Sequence, residues 1–196
     1  MNFGLVTSFI IAGILLLSIL SLNMNLSYNS AELTMNQIVQ QRINGIKEII
    51  EHDIPKIAYN DTATVEDPIT KATTDEIEFK SNIDNKDGDL ETVRWKFDTN
   101  TPVDSPNPND YVLRRSVDGT QTEIKLGVTD FELTYKDKNM NVIPLTNVQV
   151  LRNKIRHIEL SVTVECPGKI GGADNISSKY VSTTWTHTFS PINLKF

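Results

Sequence analysis

The sequence predicts an α+β fold in which a long N-terminal helix packs on an antiparallel β-sheet domain. Three observations lead to this prediction. An uncharged apolar run extends from Phe3 to Leu26. Apolar residues then recur every three or four positions as far as Ile57, which is the period of a helix with one buried face. From Ile77 onward the apolar residues alternate with polar ones, which is typical of strands with one buried face.

The apolar run is long enough to cross a membrane. A helix of about 24 residues rises roughly 36 Å, which exceeds the ~30 Å hydrocarbon core of a bilayer. We therefore predict that residues 1–30 form an uncleaved membrane anchor helix. A cleaved signal peptide and a buried core helix are the alternatives, although Met1 and Asn2 lack the basic charge of a signal peptide. The first basic residue is Arg42, so flanking charge does not determine the orientation.

Small and weakly polar residues are frequent in the first turns of this helix. Residues without bulk let two membrane helices approach closely, so we predict that they form a helix-packing surface. The residues assigned to it are Gly4, Thr7, Ser8, Ala12 and Gly13.

Residues 31–58 are predicted to continue as an amphipathic stem helix, which Pro55 ends or kinks. Its apolar stripe contains Val39, Ile43, Ile46, Ile50, Ile54 and Ile57. Because lipid does not cover this part of the helix, we expect Ile43, Ile46 and Ile50 to pack against the sheet. A coiled-coil spacer is the other interpretation of the stripe.

Residues 59–196 are predicted to form one β-rich domain. Polar composition predicts surface loops at Asn60 to Thr74 and Asn100 to Asn109, and glycines predict another at Gly168 to Gly172. Turns are predicted at Asp84 to Asp89, at Asp118-Gly119 and at Asp137 to Asn141. The predicted strands are Ile77 to Ile83, Val93 to Phe97, Tyr111 to Val117, Thr122 to Leu126, Val128 to Tyr135, Val142 to Leu145, Ile155 to Glu165 and Tyr180 to Phe189.

The sequence contains no recognisable catalytic or cofactor site. The chain has 196 residues and a net charge of −6, which disfavours nucleic-acid binding. Its single cysteine, Cys166, excludes an intrachain disulfide and falls in an apolar alternation that predicts a strand residue. The three histidines, His52, His157 and His187, lack ligand spacing, and the carboxylates are expected on outward strand positions or in turns. We therefore expect no enzyme activity, no cofactor and no small-molecule substrate.

The acidic turn from Asp84 to Asp89 also allows a calcium site. Carboxylate oxygens are the ligands that this ion prefers, but Gly88 does not fit the spacing of an EF-hand loop. A solvated turn is the other interpretation of this segment.

Four short motifs in the second half are similar to those of one family. They are Leu113-Arg114-Arg115, the run from Leu126 to Asp137, the run from Arg156 to Val162, and Ser190-Pro191-Ile192-Asn193-Leu194. With the anchor and stem before them, they resemble the minor subunits of the type IV pilin and pseudopilin superfamily. In these subunits a strand ending in Tyr-x-Asp, an apolar alternating strand and a closing Asn-Leu recur in this order.

The resemblance implies a structural, non-enzymatic subunit of a type IV pilus or of a filament like that of type II secretion. It also implies an extracytoplasmic β domain and partner subunits bound through the N-terminal helix. The family's aromatic residue after the leader glycine and its Glu five positions into the mature chain are replaced here by Leu5 and Phe9. This departure argues against a major repeating subunit. The alternative function is a single-pass membrane protein whose β domain binds a ligand or acts in adhesion by itself.

Overall fold

The computed structural model describes residues 3–61, 63–86, 89–171 and 178–194. It has one long helix followed by a seven-stranded sheet, and it confirms the predicted α+β fold. The helices are α1 (Phe3–Asp53) and α2 (Leu145–Val148). The strands are β1 (Ile69–Ala72), β2 (Glu76–Ser81), β3 (Glu91–Pro102), β4 (Tyr111–Val117), β5 (Thr120–Lys136), β6 (His157–Ile170) and β7 (Lys179–Phe189).

Helix α1 is continuous for 51 residues, with no break between the predicted anchor and the predicted stem. Its sequence contains no proline before Pro55, so every turn can form its backbone hydrogen bonds. A 3-10 turn at Ile54–Lys56 follows directly and contains Pro55 near its start. The prediction that the α-helix ends at this proline is confirmed.

The seven strands lie in the sheet in the order of the sequence, each antiparallel to the next. Helix α1 packs on β5, β6 and β7, and its stripe forms one core with the inward side chains of the sheet. Trp95, Leu133 and Val162 are among the fully buried residues of this core. The alternation predicted for β2, β3, β5 and β6 is therefore the alternation between core and surface.

The turn between β4 and β5 consists of Asp118 and Gly119, as predicted. Their φ angles are +48° and +80°, and Val117 faces Thr120 across the turn. Two successive positive φ angles give the backbone the twist that a two-residue hairpin requires.

The prediction of two strands at Thr122 to Leu126 and Val128 to Tyr135 is wrong. Both belong to β5, whose pairing register shifts near Gly127 on both of its sides. Gly127 has a φ of +78°, and such a glycine bulge bends a strand without ending it. The glycine that suggested a boundary is therefore the bend of one long strand.

Other loop and strand predictions also need correction. The predicted loop from Asn60 to Thr74 contains β1, because Ile69 and Ala72 are buried between polar neighbours. In the predicted strand from Val142 to Leu145, only Val142 forms a bridge, to Lys136, and Leu145 begins α2 after Pro144.

Parts of the two remaining predicted loops also belong to strands. Strand β3 continues to Pro102, inside the segment predicted as an exposed loop, and Asn107 in that segment is buried. Gly168 lies in β6 and not in the predicted glycine loop, since this strand continues to pair with β7 as far as Ile170. Gly172, the last residue of that predicted loop, is outside the described residues.

Candidate functional site: the anchor helix and its junction with the sheet

The first half of α1 projects from the domain with its apolar side chains exposed. Phe3 is 77% exposed and Phe9 is 70% exposed, and the most apolar window of the helix has no buried residue. Within the described residues, this is the one helix that is long and apolar enough to cross a membrane. A core helix would be mostly buried, so the alternative of a buried core helix does not fit this segment.

The predicted helix-packing residues all lie on this exposed part, and none of them contacts the sheet. A helical period of about 3.6 residues places Gly4, Thr7, Ser8 and Ala12 on one side of the helix and Gly13 nearly opposite Gly4. A Cβ atom added at Gly4 or Gly13 would meet no atom within 4 Å. The domain itself therefore gives no steric reason for glycine at these two positions.

The hydroxyl groups in this part of the helix are satisfied by the helix itself. Thr7 Oγ1 donates to the carbonyl of Phe3 at 2.7 Å, and Ser8 Oγ donates to the carbonyl of Leu5 at 2.9 Å. Such bonds to the preceding turn remove the cost of placing a hydroxyl in lipid. The polar residues are thus compatible with a hydrocarbon environment.

The second half of α1 is held by the core. Ile43, Ile46 and Ile50 are at most 4% exposed, and they lie among the buried residues of the sheet. Val39 is the first buried residue of the helix, and Met35, one turn earlier, is only partly buried. The same helix is therefore exposed up to about residue 34 and buried along one face from Val39 onward.

A buried ion pair fixes the end of α1 to the sheet. Asp53 is completely buried, and Arg115 of β4 binds both of its carboxylate oxygens, at 2.6 and 2.9 Å. Trp95 of β3 donates its indole N–H to the same carboxylate at 2.9 Å. The hydrogen bonds to Asp53 raise the pKa of Arg115, so the guanidinium group stays charged. Removing one partner of such a pair leaves a buried charge, which typically costs about 3–5 kcal/mol.

A second junction lies where α1 crosses the bend of β5. Arg42 Nη1 donates to the carbonyl of Glu165 at 3.4 Å. A Cβ atom on Gly127 would lie 2.4 Å from that carbonyl oxygen and 2.6 Å from Arg42 Nη1. Asp110 is buried nearby, and burial raises the pKa of its carboxyl group against the weaker effect of Arg42. The helix and the bent strand therefore meet at a position that only glycine fits.

Sequence reasoning placed the carboxylates on outward strand positions or in turns, which is wrong for Asp53, Glu76 and Asp110. Burial acts to raise the pKa of Glu76, but hydrogen bonds from Arg94 and Lys71 outweigh it and lower the pKa. Asp53 occupies a polar position of the helical pattern, and Glu76, the first residue of β2, precedes the strand that the sequence predicts from Ile77. Only the position of their basic partners on neighbouring strands identifies them as buried ion pairs.

Among the described residues, no group of three or more His, Cys, Asp or Glu side chains is arranged to hold a metal ion. Cys166 is buried, and its Sγ donates to the carbonyl of Gly168 and accepts from the amide of Val181. In the predicted acidic turn, Asp84 binds the amide and the ammonium group of Lys86. Asp87 and Gly88, on which the calcium hypothesis also depends, lie outside the described residues.

The surface also has a groove of about 440 Å³ between the segment before β1 and the segment before β6. Arg152 and Arg156 line it, and Arg152 forms an ion pair with Asp67 at 3.2 Å. The groove is open to solvent and has charged side chains in its lining, unlike the enclosed, mostly apolar pockets that bind small molecules.

Comparison with known proteins gives no family assignment. No family model matches the chain, and a search of curated proteins finds no similar sequence. Within the described residues, the fold therefore defines a chain with one helix long and apolar enough to cross a membrane. The second half of this helix packs on an antiparallel sheet.

Proposed function

We propose that the chain is a non-enzymatic, membrane-anchored structural subunit, similar to the minor subunits of type IV pili and of type II secretion-like filaments. Its anchor would be Phe3 to Leu26, and its β domain would lie outside the cytoplasm. Other pilin-like subunits would bind it through the N-terminal helix.

The observation that carries the proposal is that one uninterrupted helix is exposed along its first half and packed against the sheet along its second half. Its first half exposes large apolar side chains all round, while its second half has one buried face. A protein that needed only a tether could join its anchor and its domain by a flexible linker. A helix that continues into the core instead fixes the direction of the domain relative to the anchor.

The two junctions support the same interpretation. The ion pair of Asp53 with Arg115 and the close contact of Arg42 with Gly127 hold the stem at two points, eleven residues apart along α1. Rotation or sliding of the helix against the sheet would break a buried charge pair. An assembly that packs anchor helices side by side would therefore also set the positions of the β domains.

Replacement of the small residues of the anchor tests the proposal. Changing Gly4, Thr7, Ser8, Ala12 and Gly13 together to leucine keeps the span apolar. It fills both the side that holds the first four of these residues and the opposite side at Gly13, so a second helix could approach closely on neither side. We expect the protein to insert into the membrane as before and to lose co-purification with filament or secretion components. The measurement is the amount of those components recovered with the tagged full-length chain.

A matched control changes Ile10, Ile11, Ile14 and Ile19 to leucine, which preserves bulk and hydrophobicity. This control is expected to keep full co-purification. If the leucine variant of the small residues also keeps its partners, the helix is only an anchor. The single-pass receptor or adhesion function would then replace the proposal.

A further inference from the structure

The sheet has two edge strands, and they differ in how their backbone groups are satisfied. Strand β1 has four residues, and a side-chain amide group forms hydrogen bonds with its outer backbone groups as a neighbouring strand would. Gln149 donates from Nε2 to the carbonyl of Thr70 and accepts at Oε1 from the amide of Ala72, both at 2.9 Å. This edge has no further room for pairing, which is a usual protection of edge strands.

Strand β7, at the other edge, is open over most of its eleven residues. The amide of Val181 points toward β6, where it donates to Cys166 Sγ. Because backbone groups of a strand alternate in direction, the amides and carbonyls of Ser182, Thr184, Thr186 and Thr188 point away from the sheet. Within the described part of the chain, these outward groups form no hydrogen bond.

The side chains of β7 do not protect this edge. The strand contains no proline and no acidic residue, and its one lysine, Lys179, is at its start. Thr184 and Thr186 bind hydroxyl groups of β6 on one face, at 2.9 and 3.2 Å. On the other face, the rings of Trp185 and His187 stack 5.8 Å apart. A neighbouring strand would thus meet hydroxyl groups on one face and aromatic rings on the other.

We propose that β7 accepts an extended segment of a different polypeptide as an eighth strand of the sheet. A row of unpaired backbone donors and acceptors at a sheet edge is a ready template for pairing with another strand. The segment would carry apolar side chains at alternate positions, next to Trp185 and His187. It would carry acidic residues at one end, beside Lys169 and Lys179.

Two ways in which a second copy of this chain could pair with this edge are disfavoured. Pairing of β7 with β1 of another copy is blocked by Gln149. Helix α1 runs in the same general direction as β7, since Gln40 binds Thr183 and Lys47 lies over Trp185. Antiparallel pairing of two β7 strands would therefore point the two anchors in opposite directions, and this step alone rests on the proposed membrane anchor.

The test uses the full chain in detergent and a labelled peptide of alternating threonine and valine, with two glutamates at each end. Fluorescence anisotropy should show saturable binding. Thr186→Pro removes one outward amide and should weaken binding at least tenfold, because proline is tolerated at an edge but cannot donate. Thr186→Ala is the matched control, since it also loses the bond to Ser161 but keeps the amide. Its affinity should remain within twofold of the original.

A second measurement does not depend on how the proline variant folds. A peptide methylated at every amide nitrogen cannot donate from either side, so it should not bind the unchanged protein. Absence of saturable binding would overturn the proposal. It would also be overturned if the methylated peptide binds the unchanged protein as tightly as the unmethylated peptide does, and the Thr186→Pro and Thr186→Ala variants bind the unmethylated peptide equally. A photoreactive residue in place of Thr184 that joins two copies of this chain would also overturn it, because the occupant would then be a second copy. Neither readout involves filament components, so these results are independent of the proposed function.

Discussion

At the residue scale, Gly127 determines how the stem meets the sheet. Its positive φ forms the bend of β5, and its missing side chain leaves room for the carbonyl of Glu165 and the guanidinium of Arg42. Gly119 also has a positive φ, but a Cβ atom there would meet nothing within 4 Å. A side chain at Gly119 would therefore cause backbone strain alone, whereas a side chain at Gly127 would cause both backbone strain and a steric clash.

Gly127→Ala should therefore destabilise the protein more than Gly119→Ala. Backbone strain at a positive φ costs about 1–2 kcal/mol and is common to both variants. The additional clash at Gly127 should add about 1–3 kcal/mol, as overpacking usually does. Urea denaturation of a soluble fragment starting at residue 27 measures both free energies of unfolding. Equal losses in the two variants would mean that the junction at Gly127 has room to relax.

At the element scale, the two halves of α1 differ in their surroundings, since the first half is exposed and apolar and the second half has one buried face. Its length of about 77 Å is more than twice the ~30 Å hydrocarbon core of a bilayer, so its second half must be stabilised by other contacts. Burial of the isoleucine stripe provides them, since each fully buried side chain of this size contributes about 1.5–3 kcal/mol. The helix in the domain is therefore held by packing and not by helix propensity alone.

Ile46→Asp should destabilise the domain by about 3–5 kcal/mol, because it places an unpaired charge at a fully buried position. For a domain of this size, the melting temperature should fall by roughly 10 °C or more. Ile49→Asp is the matched control on the exposed side of the same turn, where the native side chain is 37% exposed. Its effect should stay near 1 kcal/mol. Similar losses in both variants would show that the buried face does not carry the stability of the stem.

At the scale of the whole molecule, the anchor and the β domain lie at opposite ends of one long axis. Within the described residues, all seven strands follow α1 in the chain, and only the second half of this helix is buried against them. Under the proposed function, the sheet would therefore lie on one side of the membrane. The proposed function expects this side to be extracytoplasmic. Charge near the span gives no independent indication, because Arg42 already belongs to the folded domain.

Protease added to intact spheroplasts should digest the β domain. A tag after Phe196 would be lost from immunoblots, while a cytoplasmic marker protein survives. Digestion after lysis with detergent shows that the protease and the cleavage sites are active. Survival of the tag in intact spheroplasts, with loss after lysis, would place the domain in the cytoplasm and contradict the proposed function.

The sequence by itself determined the elements whose physical signal is periodic. The apolar run of the anchor, the stripe of Ile43, Ile46 and Ile50, and the alternation in β2, β3 and β6 repeat over many residues, so they predict helix and strand directly. The turn at Asp118-Gly119 was predictable because its backbone angles favour those two residue types. Strand β1 and the bend of β5 were missed, because four residues are too few to show a period and a glycine does not distinguish a bulge from a boundary.

Only the tertiary structure decided which polar groups are buried and which edge of the sheet is open. In the sequence, Asp53 occupies an ordinary polar position of a helix. Folding brings Arg115, 62 residues away, to its carboxylate. The difference between β1, closed by Gln149, and the open edge of β7 likewise depends on contacts between distant segments. A periodic pattern shows only which residues of one segment face the core and which face the surface. Ion pairs and open strand edges depend on which distant segments become neighbours in the fold.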